Sequence, residues 1–566
     1  MPPPADPRFA ALEGEALNLL WQRDPVHASI LGVERYDGLL PRTDPDSRAE
    51  FCWRAGELLG QLERLSPPDA ADPISAAERW ALRSLLAVPR ALEEEFSPYT
   101  RNPTLYVESL LQGVYILLQR PGPMDAGRAH SLISRLNEAP RLLEEGCRNL
   151  LPHAARVPLA WAQGCLRQTE GGQALINQAL RPVLREAPQM GAQAERAGAI
   201  ALEHLGRYAE FIRREILPRA RGSFAAGRDL FHFLLREEHH LSYRDMDLEE
   251  WARHEIHETR KELCRLASGL DGGRDWREVL EDLKHDHPAA DALLAAYREA
   301  VERARTFVRE RALATLPEQD DLVVEETPEF ERGVIPFAAY LPPAPFGRRR
   351  RGSLWVTPPG RHLAEAQRHE LLRDHCRARL PITALHETYP GHHLQLTHMC
   401  QIQSAVRRQF GTAVYVEGWA LYCEEMMLEQ GFLSDPRSRL CQLRDHLWRA
   451  CRVLLDVGLH SGTLTIDEAA DVLVQEACLQ PPNAAAEVLR YTHTPTQPLS
   501  YLIGKREIQG LRREVERARG RIFSLRGFHD EFLGHGALPI RFMRDILLAP
   551  AAAHSVAPAA PVPARP

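Results

Sequence analysis

Lysine is nearly absent, occurring only at 261, 284 and 505, so almost all of the 70 basic side chains are arginine. The skew follows genome composition, and a formal net charge of −7 leaves no general positive field for nucleic acid. A long apolar run is also missing. No stretch of about 18 uncharged apolar residues occurs, which excludes a helical membrane span. The opening MPPPADPRFAALEGEALNLL lacks a basic region followed by an apolar core, so a cytoplasmic protein is expected. The ten cysteines, scattered from Cys52 to Cys478, include no C-x-x-C pair. That argues against a disulfide frame or a cysteine metal site and suits a reduced compartment. Internal repeats and long flexible linkers are absent too.

What the sequence does contain is helix. At 566 residues, 44% hydrophobic and 26% charged, it has the length and balance of a soluble globular protein with a large core. The segments at 194–220 and 247–270 repeat apolar residues at three- and four-residue steps, the pattern of helices that pack on other helices. Strand-like sequence is concentrated in GVIPFAAYLPP (333–343) and GSLWVTPP (352–359), which read as a hairpin across an arginine turn. Proline at their ends limits this sheet and leaves it an edge. The run from Arg348 to Arg351 reads as solvated charge or an anion patch. The expected organisation is a mostly α protein: unstructured residues 1–7, a helical portion 8–325, a portion 326–547 with the hairpin and the motif described next, and an alanine- and proline-rich unstructured tail, 548–566.

The motif is HETYPGHH, residues 386–393. The usual H-E-x-x-H pattern sets two histidines four residues apart on one helical face, and here that second place is held by Pro390. On an unbroken helix His392 would lie about 9 Å further along than His386 and about 240° around the axis, so the two rings would point apart. His393 would be nearly in line but about 10.5 Å away, against about 6 Å for the normal spacing. Pro390 has no N–H for the carbonyl of His386, and its ring clashes with that turn; Gly391 accepts almost any backbone angle. An interruption at Pro390 and Gly391 would return His392 to the position of the second histidine, with His393 as the alternative. Glu387 stays beside the first ligand, where it can hold a water for attack.

Zinc hydrolases of this kind take a third protein ligand and keep a position open for water. In TAVYVEGWALYCEEMMLEQGF (412–432), Glu417 and Glu424 share a stripe with Val414, Leu421 and Leu428. Buried carboxylates require a partner. Glu417 as metal ligand and Glu424 as acceptor for a histidine N–H would satisfy both; arginines such as Arg444 or Arg449 offer a purely structural alternative.

HETYPGHHLQ and YVEGWALYCEE, with weaker matches from DPVHASILGVERYDGLLP (24–41) to FHDEFLGHGALPIRFM (528–543), resemble the bacterial family of domain of unknown function 885. That family is similar to thimet-type oligopeptidases and related helical zinc peptidases. The resemblance implies two helical lobes around a deep channel, one zinc ion per chain held by His386, His392 and Glu417, and Glu387 as base. The related peptidases also present a downstream tyrosine to the metal. Tyr501 is preferred here and Tyr491 is second, as donor to the oxyanion formed when water adds to a carbonyl.

The expected activity is zinc-dependent cleavage of peptide or amide bonds in short substrates, with no nucleic-acid or membrane partner. The strand from Leu354 and Trp355 to Thr357 is expected to bind an extended peptide along its edge, and Arg490, His493 or Lys505 to read a terminal carboxylate. A specialised amide hydrolase acting on a biosynthetic intermediate and an inactive helical scaffold are the competing readings.

Overall fold

The computed structural model describes residues 7–68, 72–120, 122–318, 320–328, 332, 335, 337–347, 350–360 and 363–549. Most of the two terminal segments expected to lack structure lies outside these residues, although Pro7 opens the first helix, Pro7–Arg23. Arg348 and Arg349 also lie outside them; Arg351 pairs with Asp321 at 3.0 Å.

Helix makes up 73% of the chain and strand 3%, so helix packing sets the architecture. The 43 prolines are compatible with this partly because of where they fall. Asp24, Asp44, Asp72 and Asp435 each cap a helix that begins with proline, and each carboxylate accepts a backbone N–H of the first turn. Proline at a first helical position loses no hydrogen bond and presets φ, while the aspartate satisfies an otherwise orphaned donor. Both expected helices are present: Asp245–Leu270, and Gly191–Phe211 with a wider turn through Ile216 after it.

The sheet departs from expectation. The hairpin partners β2 (Ala338–Leu341) and β3 (Arg351–Val356) do pair antiparallel, but β1 (Asp321–Glu326) pairs with β3 in parallel from the other side. Leu354 lies between Val324 and Tyr340, so the order is β1-β3-β2 and β3 is central. Leu354 and Trp355 are buried, and both sides of their strand are already hydrogen-bonded. The expected peptide edge is therefore not on Leu354 to Val356; among the described residues the edges are β1 and β2.

Among the described residues, buried apolar side chains form two clusters. One lies within 26–216. The larger draws on Phe9 to Leu86 and Phe231 to Leu547, including the sheet. Residue 325 is no boundary of this core, since helix Leu293–Glu310 packs on helix Leu380–Glu387.

At the centre of the larger cluster, helix Ala413–Glu429 buries Tyr415, Trp419, Leu421, Tyr422 and Met426, on several faces. It crosses helix Gln497–Arg519 backbone to backbone. A Cβ on Gly418 would lie 2.4 Å from the Cα of Gly504, and one on Gly504 would lie 2.0 Å from the carbonyl oxygen of Val414. Only hydrogen fits there. Gly418→Ala or Gly504→Ala must push the two helices apart, and each is expected to cost about 1–3 kcal/mol of stability as an overpacked core does. Urea unfolding checks this, and a wild-type midpoint in both variants would contradict it.

Candidate metal centre

His386 sits near the end of helix Leu380–Glu387, and His392 opens helix His392–Met399. Between them the chain breaks at Thr388 to Gly391, with a cis Tyr389–Pro390 peptide and Gly391 at φ −71°, ψ −134°. Gly391 donates its N–H to the carbonyl of Leu385 at 3.1 Å. A Cβ on Gly391 would lie 1.9 Å from the His386 carbonyl oxygen, so the close return of the chain demands glycine. Pro390 is fixed from the other side, since its carbonyl accepts the Trp419 indole N–H at 2.8 Å.

This turn brings the two histidine rings to a centroid distance of 5.0 Å, nearly perpendicular at 87°. Glu417 approaches from its buried helix, its Oε2 3.5 Å from His392 Nε2. One ligand atom from each of His386, His392 and Glu417 lies within 4.8 Å of the other two. Around a tetrahedral zinc with bonds of about 2.1 Å, ligand atoms stand about 3.4 Å apart. Side-chain adjustment of about 1 Å would close the three on one ion, and two imidazoles with one carboxylate are a donor set that catalytic zinc takes. The residues present therefore fit the metal. Burial works against charge on both Glu417 and His392, yet their pairing prevails, pushing His392 up to about 9 and lowering Glu417. A cation between them would replace that proton.

The surrounding groups fix the rings. Glu424 Oε1 lies 2.7 Å from His386 Nδ1, which leaves Nε2 as the atom facing the site. Arg444 and Arg449 pair with Asp445, not with Glu417 or Glu424. His392 Nδ1 is buried without a hydrogen-bond partner among the described residues, and so is Oε1 of its neighbour Gln395, so a small approach would join donor to acceptor. His393 points elsewhere. Its Nδ1 is 2.8 Å from the Tyr340 hydroxyl and its Nε2 2.8 Å from Asp320, so the alternative of His393 as ligand is set aside.

Glu387, half-buried at the end of its helix, acts electrostatically on His392, Tyr297 and Tyr340. Tyr501 is half-buried beside Glu417; burial, reinforced by that carboxylate's charge, raises the phenol's pKa and keeps its proton available for donation. Tyr491 is fully buried, its hydroxyl taken by Arg452 Nε at 2.8 Å and Trp448 Nε1 at 3.3 Å. The three groups expected to read a carboxylate are also engaged. Arg490 donates to Glu487 and Gln497, each at 3.0 Å. His493 stacks on Trp161 with centroids 4.7 Å apart, and Lys505 pairs with Glu425 at 3.1 Å.

Arg452 was not singled out from sequence. It is buried, its guanidinium lies 4.7 Å from the Tyr501 ring centre, and its Nη1 has no hydrogen-bond partner among the described residues. Arg452, Asp456 and His460 recur every fourth residue among apolar neighbours on helix Pro436–Ser461, all three buried. That polar stripe was the available signal.

Because Glu424 orients His386, Glu424→Ala is expected to weaken zinc binding about 10- to 100-fold. Competition titration against a chromophoric chelator measures this; unchanged affinity would show that the ring needs no such support.

Solved structures share the fold, among them the following two. A protein from Shewanella oneidensis, described as a candidate lipoprotein of unknown function, is 23% identical, with a TM-score of 0.79 over 95% of this chain and 99% of that one. A candidate lipoprotein from Colwellia psychrerythraea is 17% identical, with a TM-score of 0.83 over 95% and 98%. No curated protein matches at a significant level. The model of the family described as "Bacterial protein of unknown function (DUF885)" matches residues 25–547, which include the histidine motif, Glu417 and Tyr501. The chain belongs to this family.

Proposed function

We propose that this protein is a zinc-dependent hydrolase of peptide or amide bonds in short substrates, working in a channel between helical lobes as thimet-type oligopeptidases do. The observation that carries the reading is the meeting of His386, His392 and Glu417 at one point, with Glu387 beside them. The side chains of His386, His392 and Glu417 are 9%, 12% and 20% exposed, recessed enough to exclude a folded domain and open enough for a narrow substrate.

Zinc held by these three side chains would polarise the scissile carbonyl and bring the pKa of a bound water to about 7. Glu387 takes the proton of the attacking water and returns it to the leaving amine. Tyr501 donates its hydroxyl hydrogen to the carbonyl oxygen as that atom gains charge. Arg452 stacks on the Tyr501 ring and holds it in place. Among the described residues β2 pairs only with β3, so its outer edge is the place for an extended substrate backbone. Tyr340, on that strand, bonds His393 and so ties the edge to the motif.

Glu387→Gln should keep its zinc and lose about 10²- to 10⁴-fold in turnover, the contribution of a general base. Tyr501→Phe should lower kcat and kcat/KM together by about 10²- to 10³-fold, since its hydrogen bond strengthens only as the oxyanion forms. Mass spectrometry of a mixed-peptide digest, beside a panel of folded proteins, supplies the assay. Near wild-type turnover by Glu387→Gln, or efficient cuts within native domains, would refute the reading. Zinc binding without cleavage of any peptide would favour a specialised amide substrate.

A further inference from the structure

A second group of histidines is assembled from segments distant in sequence. His285 and His287 lie in the connection between helix Trp276–Leu283 and helix Leu293–Glu310, and His369 lies on helix Glu365–Leu372. The ring centres of His287 and His369 are 4.6 Å apart, edge to face at 67°, and those of His285 and His369 are 6.0 Å apart. Two imidazoles bonded at about 2.1 Å to one tetrahedral ion set their ring centres about 5 Å apart, so the two separations bracket that value. The pair at the metal centre, His386 and His392, stands at 5.0 Å.

We propose that His285, His287 and His369 form a second, exchangeable zinc site held by imidazole alone. His287 Nδ1 lies 3.0 Å from the carbonyl oxygen of Pro288. A carbonyl only accepts, so Nδ1 carries the ring proton and Nε2 keeps its lone pair, the form that ligates a metal. That Nε2 is buried without a hydrogen-bond partner among the described residues. His285 and His369 are exposed, and among the described residues neither ring is held by a hydrogen bond or an ion pair. Lys284, beside His285, is paired with Glu281 at 2.8 Å, which balances its charge.

The three nitrogens do not converge on one point as those of the metal centre do. Rotation of the two exposed rings toward Nε2 of His287 closes the set through side-chain torsions alone, with water completing the coordination. A set of neutral imidazoles suits zinc and not calcium or magnesium, which take oxygen. The need for that rotation and the open surroundings make this site weaker than the recessed centre, so its ion exchanges with solvent and is lost on desalting. An ion here would clip the 285–287 connection to helix Glu365–Leu372, which leads through Arg373–His375 to helix Leu380–Glu387, the carrier of His386.

Equilibrium dialysis of the full zinc-loaded chain against added zinc tests this. One further equivalent is expected to bind and to leave on desalting, while the tightly held zinc stays. His287→Ala and His369→Ala are each expected to lose that further equivalent and keep the tight one, which also reports that they are folded. His257→Ala, which removes an exposed histidine on helix Asp245–Leu270, is the control and is expected to bind as the parent does. The difference between parent and His369→Ala is one equivalent whether or not the centre at His386 fills, so the outcome is independent of the hydrolase reading. No further equivalent in the parent would overturn the proposal. So would a further equivalent that persists in both His287→Ala and His369→Ala, or that falls equally in His257→Ala, since either marks adventitious zinc only.

Discussion

The contact of Gly391 with the carbonyl groups of Leu385 and His386 is the constraint on which the candidate centre depends. With hydrogen in place of a side chain, the backbone can fold back within a distance that any Cβ would block. That return replaces the geometry of a continuous helix, in which His386 and His392 would face apart. It also separates adjacent residues by role. His392 turns to His386 and Glu417, while His393 turns to Asp320 and Tyr340 and ties the motif to the sheet.

A second close approach, Gly418 on Gly504, serves the other half of the centre. Glu417 precedes Gly418, and Tyr501 lies one turn before Gly504, so the crossing that brings these backbones together also brings the carboxylate and phenol together. Glu424, two turns beyond Glu417 on the same helix, reaches His386. Two carboxylates on one buried helix are thereby matched to two imidazoles, which resolves the cost of placing their charge inside the core.

The helical class and the break at Pro390 and Gly391 were legible because proline and glycine act locally. Periodicity likewise exposed Glu417 and Glu424. What escaped depended on partners distant in sequence. The strand Asp321–Glu326 is a short apolar run between acids, and nothing in it announces a parallel pairing with β3; that pairing moved Leu354 and Trp355 from an edge to the centre. Tyr491 and Tyr501 each lie in a helix, and only the fold shows that one hydroxyl is spent on Arg452 while the other phenol lies beside Glu417. Gly418 and Gly504, glycines inside helices, were a signal of close packing left unread.

Metal content tests the central claim most directly: the protein, purified without a histidine tag and supplied with zinc, compared with its His392→Ala and His393→Ala variants. The geometry predicts about one zinc per chain in the parent and in folded His393→Ala, and a loss of bound zinc in His392→Ala. No stoichiometric zinc in the parent, or full zinc in His392→Ala, would contradict it.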